Sequence, residues 1–159
     1  RQMCIRDRYT ILSPFKDDHM FHNKDGFDNY YSMVVHVDHE VDYLLTGDIN
    51  RIKETRLLPY VSQFNVDVLK VSHHGSDDAT SEALLEAIQP KISVISVGEH
   101  NRYQHPNENV IERLNKQNSK IYRTDELGMI EMRKSHDRLK IKHYKDKRHK
   151  KRIVGNEKE

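Results

Sequence analysis

Short apolar runs alternate with amphipathic segments along most of the chain, and these two periods predict interleaved strands and helices. Seven runs rich in aliphatic and β-branched residues predict strands at 33–37, 42–46, 66–71, 92–97, 120–123, 129–133 and 139–142. Helical spacing predicts helices at 51–58, stopped by Pro59, at 81–88, and from Pro106 onward. The third helix should turn three apolar residues toward the core: Val110, Ile111 and Leu114.

Two connections between neighbouring strands can also be predicted. The polar pair His39-Glu40 separates the first two strands as an antiparallel hairpin would. Strands 120–123 and 129–133 should turn into each other near Gly128. Strands interleaved with helices are typical of the α/β class, and no internal repeat is visible.

Polar residues with metal-binding chemistry follow two of the predicted strands. His73 and His74 come directly after the apolar run 66–71, where two imidazoles are hard to explain by packing. Asp48 follows the run 42–46 after Gly47, which lets the backbone turn. Carboxylate and imidazole are common ligands of zinc and of harder transition ions. The alternative is that Asp48 caps the next helix and that both histidines are ordinary loop residues.

Six short motifs, taken in order, resemble the metallo-β-lactamase fold, and within it the hydrolase domain of the ComEC family of DNA-uptake proteins and its stand-alone relatives. The resemblance covers most of residues 10–133. The motifs are Asn29-Tyr30-Tyr31-Ser32-Met33-Val34-Val35, Leu44-Leu45-Thr46-Gly47-Asp48-Ile49, Lys70-Val71-Ser72-His73-His74-Gly75-Ser76, Ile95-Ser96-Val97-Gly98, Asn101-Arg102-Tyr103-Gln104-His105-Pro106, and Tyr122-Arg123-Thr124-Asp125 with Gly128.

This resemblance implies an αββα sandwich whose metal ions lie at one edge between two sheets. It implies that Asp48 bridges two divalent ions, zinc or manganese, and that His74 is the terminal ligand. His73 would then meet the substrate, although the reverse assignment of the two histidines stays open. The implied reaction is hydrolysis, with DNA or another phosphodiester as substrate, and Asp48, His73 and His74 as catalytic residues.

One departure from the family changes this expectation. The family's first metal motif, His-x-His-x-Asp-His, has no counterpart here; segments 19–22 and 36–39 have similar letters but not its spacing. We therefore expect the C-terminal half of the sandwich, with half a site, and with the N-terminal half of the same protein as its partner. Two alternatives remain: a non-catalytic nucleic-acid-binding domain with a similar fold, or a gene fragment without independent function.

The loop after strand 92–97 should lie on the same rim as the histidines. Asn101, Tyr103 and His105 are therefore candidate substrate-binding residues. Each has an ordinary alternative role in loop structure, and His105, directly before Pro106, would also suit the entry to a helix.

Charge divides the chain into an acidic body and a basic end. The net charge is +2, yet residues 138–159 alone carry ten basic and three acidic side chains, so the remainder has a net charge of −5. We predict a domain at 9–144 and a basic tail at 145–159, which either neutralises phosphates or is simply solvated. Residues 1–8 match no family motif and are treated as a junction; they contain Cys4, the only cysteine, so no disulfide is expected.

No segment has the roughly 20 apolar residues of a membrane helix, and no signal peptide is visible, so we expect no membrane contact from this segment. An expectation about cellular location comes only from the resemblance to the family. The domain would be extracytoplasmic in a membrane-anchored ComEC protein and cytoplasmic in a stand-alone relative.

Overall fold

A computed structural model describes residues 8–18, 28–135 and 138–145 of the chain. The described residues form eight strands: β1 (Arg8–Ser13), β2 (Val34–Asp38), β3 (Tyr43–Leu45), β4 (Val68–Lys70), β5 (Ile92–Ile95), β6 (Lys120–Arg123), β7 (Met129–Ser135) and β8 (Arg138–Tyr144). The α-helices within these ranges are α1 (Arg51–Val61), α2 (Glu82–Ile88), α3 (Glu108–Lys116) and α4 (Thr124–Leu127). The predicted α/β class is confirmed.

The first six strands form one mixed sheet in sequence order, from β1 at one edge to β6 at the other. The first three strands are antiparallel, which confirms the predicted hairpin between β2 and β3. From β3 to β6 all neighbours are parallel, and each parallel step passes through a helix or a long connection. Parallel strands deliver their carboxyl ends to one edge, so the loops after β3, β4 and β5 share a rim.

The hydrophobic core lies on one face of this sheet. Strand residues Leu44, Leu69 and Ile95 are fully buried there, and they form one cluster with apolar residues of the three longer helices. The helix residues of this cluster are Leu57, Val61, Leu84, Leu85, Ile88, Val110 and Leu114. Asn50 and Ser81 cap the first two helices by accepting hydrogen bonds from the backbone N–H groups of Lys53 and Leu84.

Two sequence predictions about element boundaries are wrong. Helix α1 continues through Pro59 to Val61. Proline removes one backbone donor near the end of the helix, and the buried side chains of Leu57 and Val61 offset that loss. Strands 120–123 and 129–133 do not form a hairpin: β6 pairs with β5, the short helix α4 intervenes, and β7 pairs with β8 as a separate hairpin.

A buried ionic cluster fastens the segment after β1 to helix α1. Lys53, which is fully buried, donates a short hydrogen bond to the carboxylate of Asp18, which is 2% exposed. Arg56 donates to the same carboxylate at 2.9 Å and to the Tyr30 hydroxyl at 2.6 Å. Lys53 also lies 3.9 Å above the centre of the Tyr30 ring. The cluster thereby fixes the 3₁₀ turn Asp28–Tyr31, which carries Asn29.

Residues 1–7 and 146–159, and thus most of the predicted junction and basic tail, lie outside the described residues. Arg8 is the first residue of β1 and pairs in register with Asp38. In the part of the chain that the structure describes, no helix combines the length and apolarity needed to cross a bilayer.

Candidate metal-binding site at the sheet edge

Two polar loops meet where β3 and β4 end. The hydroxyl of Thr46 donates to the carbonyl of Lys70 at 2.6 Å, and the backbone N–H of His73 donates to the carbonyl of Gly47 at 3.2 Å. These bonds hold the two loops side by side. As a result, the Asp48 Oδ2 atom lies 3.6 Å from the His74 Nε2 atom. The structure thus brings Asp48 together with His74, one of the paired histidines.

The histidines occupy a turn with unusual backbone geometry. His73, His74 and Gly75 have φ angles of 47°, 54° and 83°, so three consecutive residues are left-handed. A Cβ atom on Gly75 would lie 2.5 Å from Cβ of Pro106, so only glycine fits there. Left-handed non-glycine residues cost free energy and are concentrated at functional sites. The turn therefore has the character of a ligand-bearing segment.

His74 is oriented by its second nitrogen. Its Nδ1 atom lies 2.6 Å from the carbonyl oxygen of Ser96, so Nδ1 carries a proton and donates. The other ring nitrogen, Nε2, then faces the carboxylate of Asp48. A carbonyl acceptor behind the imidazole is the usual support of a metal-binding histidine.

The Asp48–His74 pair has the spacing of two ligands of one metal ion. Two ligand bonds of about 2.1 Å at a tetrahedral angle place the donor atoms roughly 3.4 Å apart. The observed 3.6 Å agrees with that value. Two acceptor atoms that face each other also repel unless a cation or a proton lies between them. Among the residues that the structure describes, however, no group of three or more His, Cys, Asp and Glu side chains is placed to hold a metal. The pair fits half of a four-ligand shell.

Lys70 supplies the nearest fixed positive charge. Its ammonium donates to the carbonyl of Gly47 at 2.9 Å and lies 3.6 Å from the other carboxylate oxygen of Asp48. Burial lowers the pKa of Lys70, and the attraction of Asp48 opposes that effect. Lys70 thus partly neutralises Asp48 and holds the glycine carbonyl of the loop.

His73 points to a different set of partners from His74. The side-chain amide nitrogen of Asn29 lies 3.2 Å from His73 Nε2, and an amide nitrogen can only donate, so Nε2 accepts. The Nδ1 atom of His73 is buried and has no hydrogen-bond partner among the described residues. An unpaired buried polar atom costs about 1–3 kcal/mol, and in functional sites such atoms often mark the position of a ligand.

The predicted substrate loop does reach this rim. The ring of His105 lies 5.9 Å from that of His73 in an edge-on arrangement, and Tyr103 stacks on His105 at 5.8 Å. Burial, followed by the nearby His73 and His74, lowers the pKa of His105. Tyr103 is 62% exposed, so the row of rings runs from the histidine turn toward solvent.

Asn101 serves the loop itself. Its amide nitrogen donates to the carbonyls of Gly98 and His105 at 3.1 and 2.7 Å, and its amide oxygen accepts from the N–H of His105 at 2.9 Å. Both ends of the amide are therefore engaged with backbone. Substrate contact by Asn101, Tyr103 or His105 stays a prediction.

Three residues of the site had no role in the sequence analysis: Asn29, Lys70 and Ser96. Each lies within a family motif, but none has a local spacing that would reveal its partner. The partner of Asn29 is 44 residues away, and that of Ser96 is 22 residues away. His36, which has metal-ligand chemistry, is instead buried in β2 and stacks on Phe64 at 3.9 Å.

Comparison with known proteins gives the chain competence-related relatives. No protein-family model matches it. It is similar to ComE operon protein 3 of Bacillus subtilis, with 38% identity over 93 residues, which is 58% of this chain and 12% of that protein. Recombination protein 2 of Haemophilus influenzae is 36% identical over 121 residues, which is 76% of the chain and 15% of the relative.

A third relative extends the same pattern. Competence protein ComA of Neisseria gonorrhoeae is 36% identical over 89 residues, 55% of this chain and 13% of that protein. The chain thus spans only about an eighth to a seventh of the length of these curated relatives. The names of these relatives are related to competence, and the matched segment is a small part of each protein.

Proposed function

We propose that this chain is the C-terminal part of a metallo-β-lactamase-type hydrolase domain of the ComEC kind, which cleaves phosphodiesters during DNA uptake. The observation that carries the proposal is the Asp48–His74 pair, with 3.6 Å between Asp48 Oδ2 and His74 Nε2 at the end of parallel strands. The competence-related names of the relatives favour DNA as the substrate.

One face of the six-stranded sheet is only partly covered by the residues that the structure describes, and this supports a missing partner layer. On the face away from the core, nine apolar residues stay partly or largely exposed: Tyr9, Ile11, Val35, Val37, Tyr43, Leu45, Ile92, Val94 and Tyr122. Tyr9 and Ile11 are 68% and 66% exposed. Parallel strands are normally covered on both faces. In the proposed sandwich, the sheet of the N-terminal half packs against this face.

The chain's own residues would divide the work as follows. Asp48 and His74 hold divalent metal, zinc or manganese, with Ser96 keeping the His74 imidazole in the required tautomer. Bound metal supplies a hydroxide near neutral pH and polarises the phosphoryl oxygen. Asn29 fixes the His73 ring beside this pair, and from there His73 would contact the substrate as charge develops on it. Lys70 keeps the Asp48 loop in place.

The test is to separate metal binding from turnover in the intact protein. We expect His74→Ala and Asp48→Ala to lower metal content measured by elemental analysis. We expect His73→Ala to retain metal but to lose kcat/KM on bis(p-nitrophenyl) phosphate, because a lost substrate contact weakens the transition state alone. His143→Ala removes an exposed histidine of β8 and serves as the control, with no change in either measurement.

Two outcomes would contradict these assignments. Full metal content in both His73→Ala and His74→Ala would remove the paired histidines from the coordination shell. Metal loss in His73→Ala alone would exchange their roles.

A second candidate is a non-catalytic nucleic-acid-binding domain with the same fold. The observation that favours it is that the described residues contain no group of three metal-ligand side chains. It predicts an intact protein that binds DNA without metal and without hydrolysis. The enzyme reading predicts a His-x-His-x-Asp-His motif in the N-terminal part of the intact protein, which its sequence would show directly.

A further inference from the structure

The β7–β8 hairpin presents a strongly basic face. Side chains that alternate along both strands lie on one side of the hairpin, among them Met129, Glu131, Arg133, Arg138, Lys140, Lys142 and Tyr144. Four of these seven are cations and one is an acid, although the chain outside residues 138–159 has a net charge of −5. Most of them line a groove of about 430 Å³. We call this surface the basic hairpin face.

The cations of this face are arranged at an energetic cost. Arg133 lies directly opposite Lys140 in the strand register, and like charges in that position are destabilising. Arg133 pairs with Glu131 at 3.0 Å. No ion pair of Arg138, Lys140 or Lys142 is present within residues 8–18, 28–135 and 138–145, and all three are exposed. An anionic partner would relieve this repulsion.

The hairpin is fixed to the rim that carries the candidate site. Lys145, which directly follows β8, donates to the carbonyl of Asp125 at 3.0 Å and lies 3.6 Å from the carboxylate of Glu99. Glu99 belongs to the same loop as His105, which adjoins the histidine turn. Gly128 packs so closely that a Cβ atom there would lie 2.3 Å from the Tyr144 carbonyl. The basic hairpin face therefore begins at the rim.

From this geometry we propose that the basic hairpin face binds the phosphodiester backbone of single-stranded nucleic acid and leads it to the rim. Cations two residues apart on a strand are roughly 6.8 Å apart, so β8 offers a straight row of positive charges. Tyr144, 49% exposed at the rim end of that row, offers a ring for base stacking. A charged groove combined with an aromatic ring is the usual means of binding single strands without sequence preference. This inference rests on the proposed DNA substrate.

The experiment measures binding without catalysis. A fluorescent oligodeoxythymidine is titrated with the full 159-residue chain in EDTA at several salt concentrations. Each neutralised phosphate contributes about −0.7 to the slope of log K against log salt for single strands. The triple variant Arg133→Gln, Lys140→Gln, Lys142→Gln should therefore bind more weakly and reduce the slope by about 2. Tyr144→Ala should weaken binding roughly tenfold and leave the slope unchanged.

A control of equal charge separates this face from the overall charge. Lys91→Gln, Lys116→Gln and Lys120→Gln together remove the same three charges from exposed positions outside the hairpin. We expect this control to change the slope by less than one unit.

Three outcomes overturn the proposal. The first is that both triple variants change binding equally, and the second is that the hairpin variant unfolds normally on heating but keeps an unchanged salt slope. The third is that poly-glutamate displaces the oligonucleotide as well as unlabelled oligonucleotide does, which would assign the face to an acidic protein. Because EDTA removes metal, this experiment measures binding without turnover. If the intact protein showed no metal-dependent hydrolysis while this chain kept the hairpin-dependent slope, only the hydrolase proposal would be contradicted.

Discussion

The buried cluster around Lys53 gives the sharpest test of how this fold holds its site. Asp18→Ala removes the carboxylate that receives the hydrogen bond of a fully buried ammonium. The rings of Tyr30 and Phe15 lie 3.9 and 4.8 Å from that ammonium and offer no carboxylate to replace Asp18. An unpaired buried charge of this kind costs about 3–5 kcal/mol. We expect the free energy of unfolding to fall by about that amount.

The reverse substitution should cost less, and the structure shows why. In Lys53→Met, the carboxylate of Asp18 still accepts from Arg56 at 2.9 Å and from the N–H of Phe15 at 2.6 Å. The methionine keeps most of the buried volume of the lysine stem. We therefore expect a loss of about 1–2 kcal/mol, the scale of one net hydrogen bond.

Urea unfolding followed by circular dichroism measures both variants, and Glu82→Gln is the control. Glu82 forms an exposed pair with Lys116 at 2.8 Å, and exposed ion pairs contribute little to stability because water and salt screen them. The slope of the unfolding free energy against urea concentration should be the same in all three variants. A loss in Lys53→Met that equals or exceeds that in Asp18→Ala would refute the asymmetry and the account of the cluster.

The same cluster predicts a pH dependence. Burial acts to raise the pKa of Asp18, but the hydrogen bonds from Lys53 and from the backbone of Phe15 outweigh it, and the pKa lies below its usual value. A carboxyl group with a depressed pKa in the folded state contributes stability above its unfolded pKa of about 3.9. That stability is lost as pH falls through the folded pKa. Asp18→Ala should therefore flatten the acid limb of the stability curve.

Two further predictions concern the site and the isolated chain. Gly75→Ala should lower the free energy of unfolding by more than about 1–2 kcal/mol, which is the cost of a left-handed alanine alone, because the added Cβ also meets Pro106. Gly98→Ala is the control: no atom lies within 4 Å of the added Cβ, so it should be nearly neutral in the same urea titration. The 159-residue chain alone should bind zinc weakly in calorimetry and should not hydrolyse bis(p-nitrophenyl) phosphate, since Asp48 and His74 fill only half of one shell; hydrolysis that Asp48→Ala abolishes would contradict this.

The sequence was informative wherever a feature is local. A short apolar run followed by a turn and a polar residue is contained in ten residues or fewer, and this pattern correctly placed Asp48 and the histidines after neighbouring strands. Parallel pairing then brings β3 and β4 together, so the convergence of Asp48 with His74 followed from topology.

The features that the sequence did not reveal depend on distant partners. In α1, Ile52 is 56% exposed while Lys53 is fully buried, the reverse of what an apolar pattern predicts. Only the carboxylate of Asp18, 35 residues earlier, makes the burial of that lysine possible. The β7–β8 hairpin was missed for the same reason. Strand β6 pairs with β5, which lies before α3 in the chain, and not with β7, the next strand in sequence.

The partly exposed face of the sheet and the incomplete set of metal ligands have a common structural origin. Strands β3 and β4 place Leu45 and Lys70 on this face, and the loops that leave the same strands carry Asp48 and His74. Under the proposed function, the layer that covers this face must end at the same rim. It would therefore bring its own side chains to the carboxylate–imidazole pair, so that burial of apolar surface and completion of the metal shell occur in one assembly step. This coupling explains why a chain with a well-packed core on one side of its sheet can still present an incomplete site.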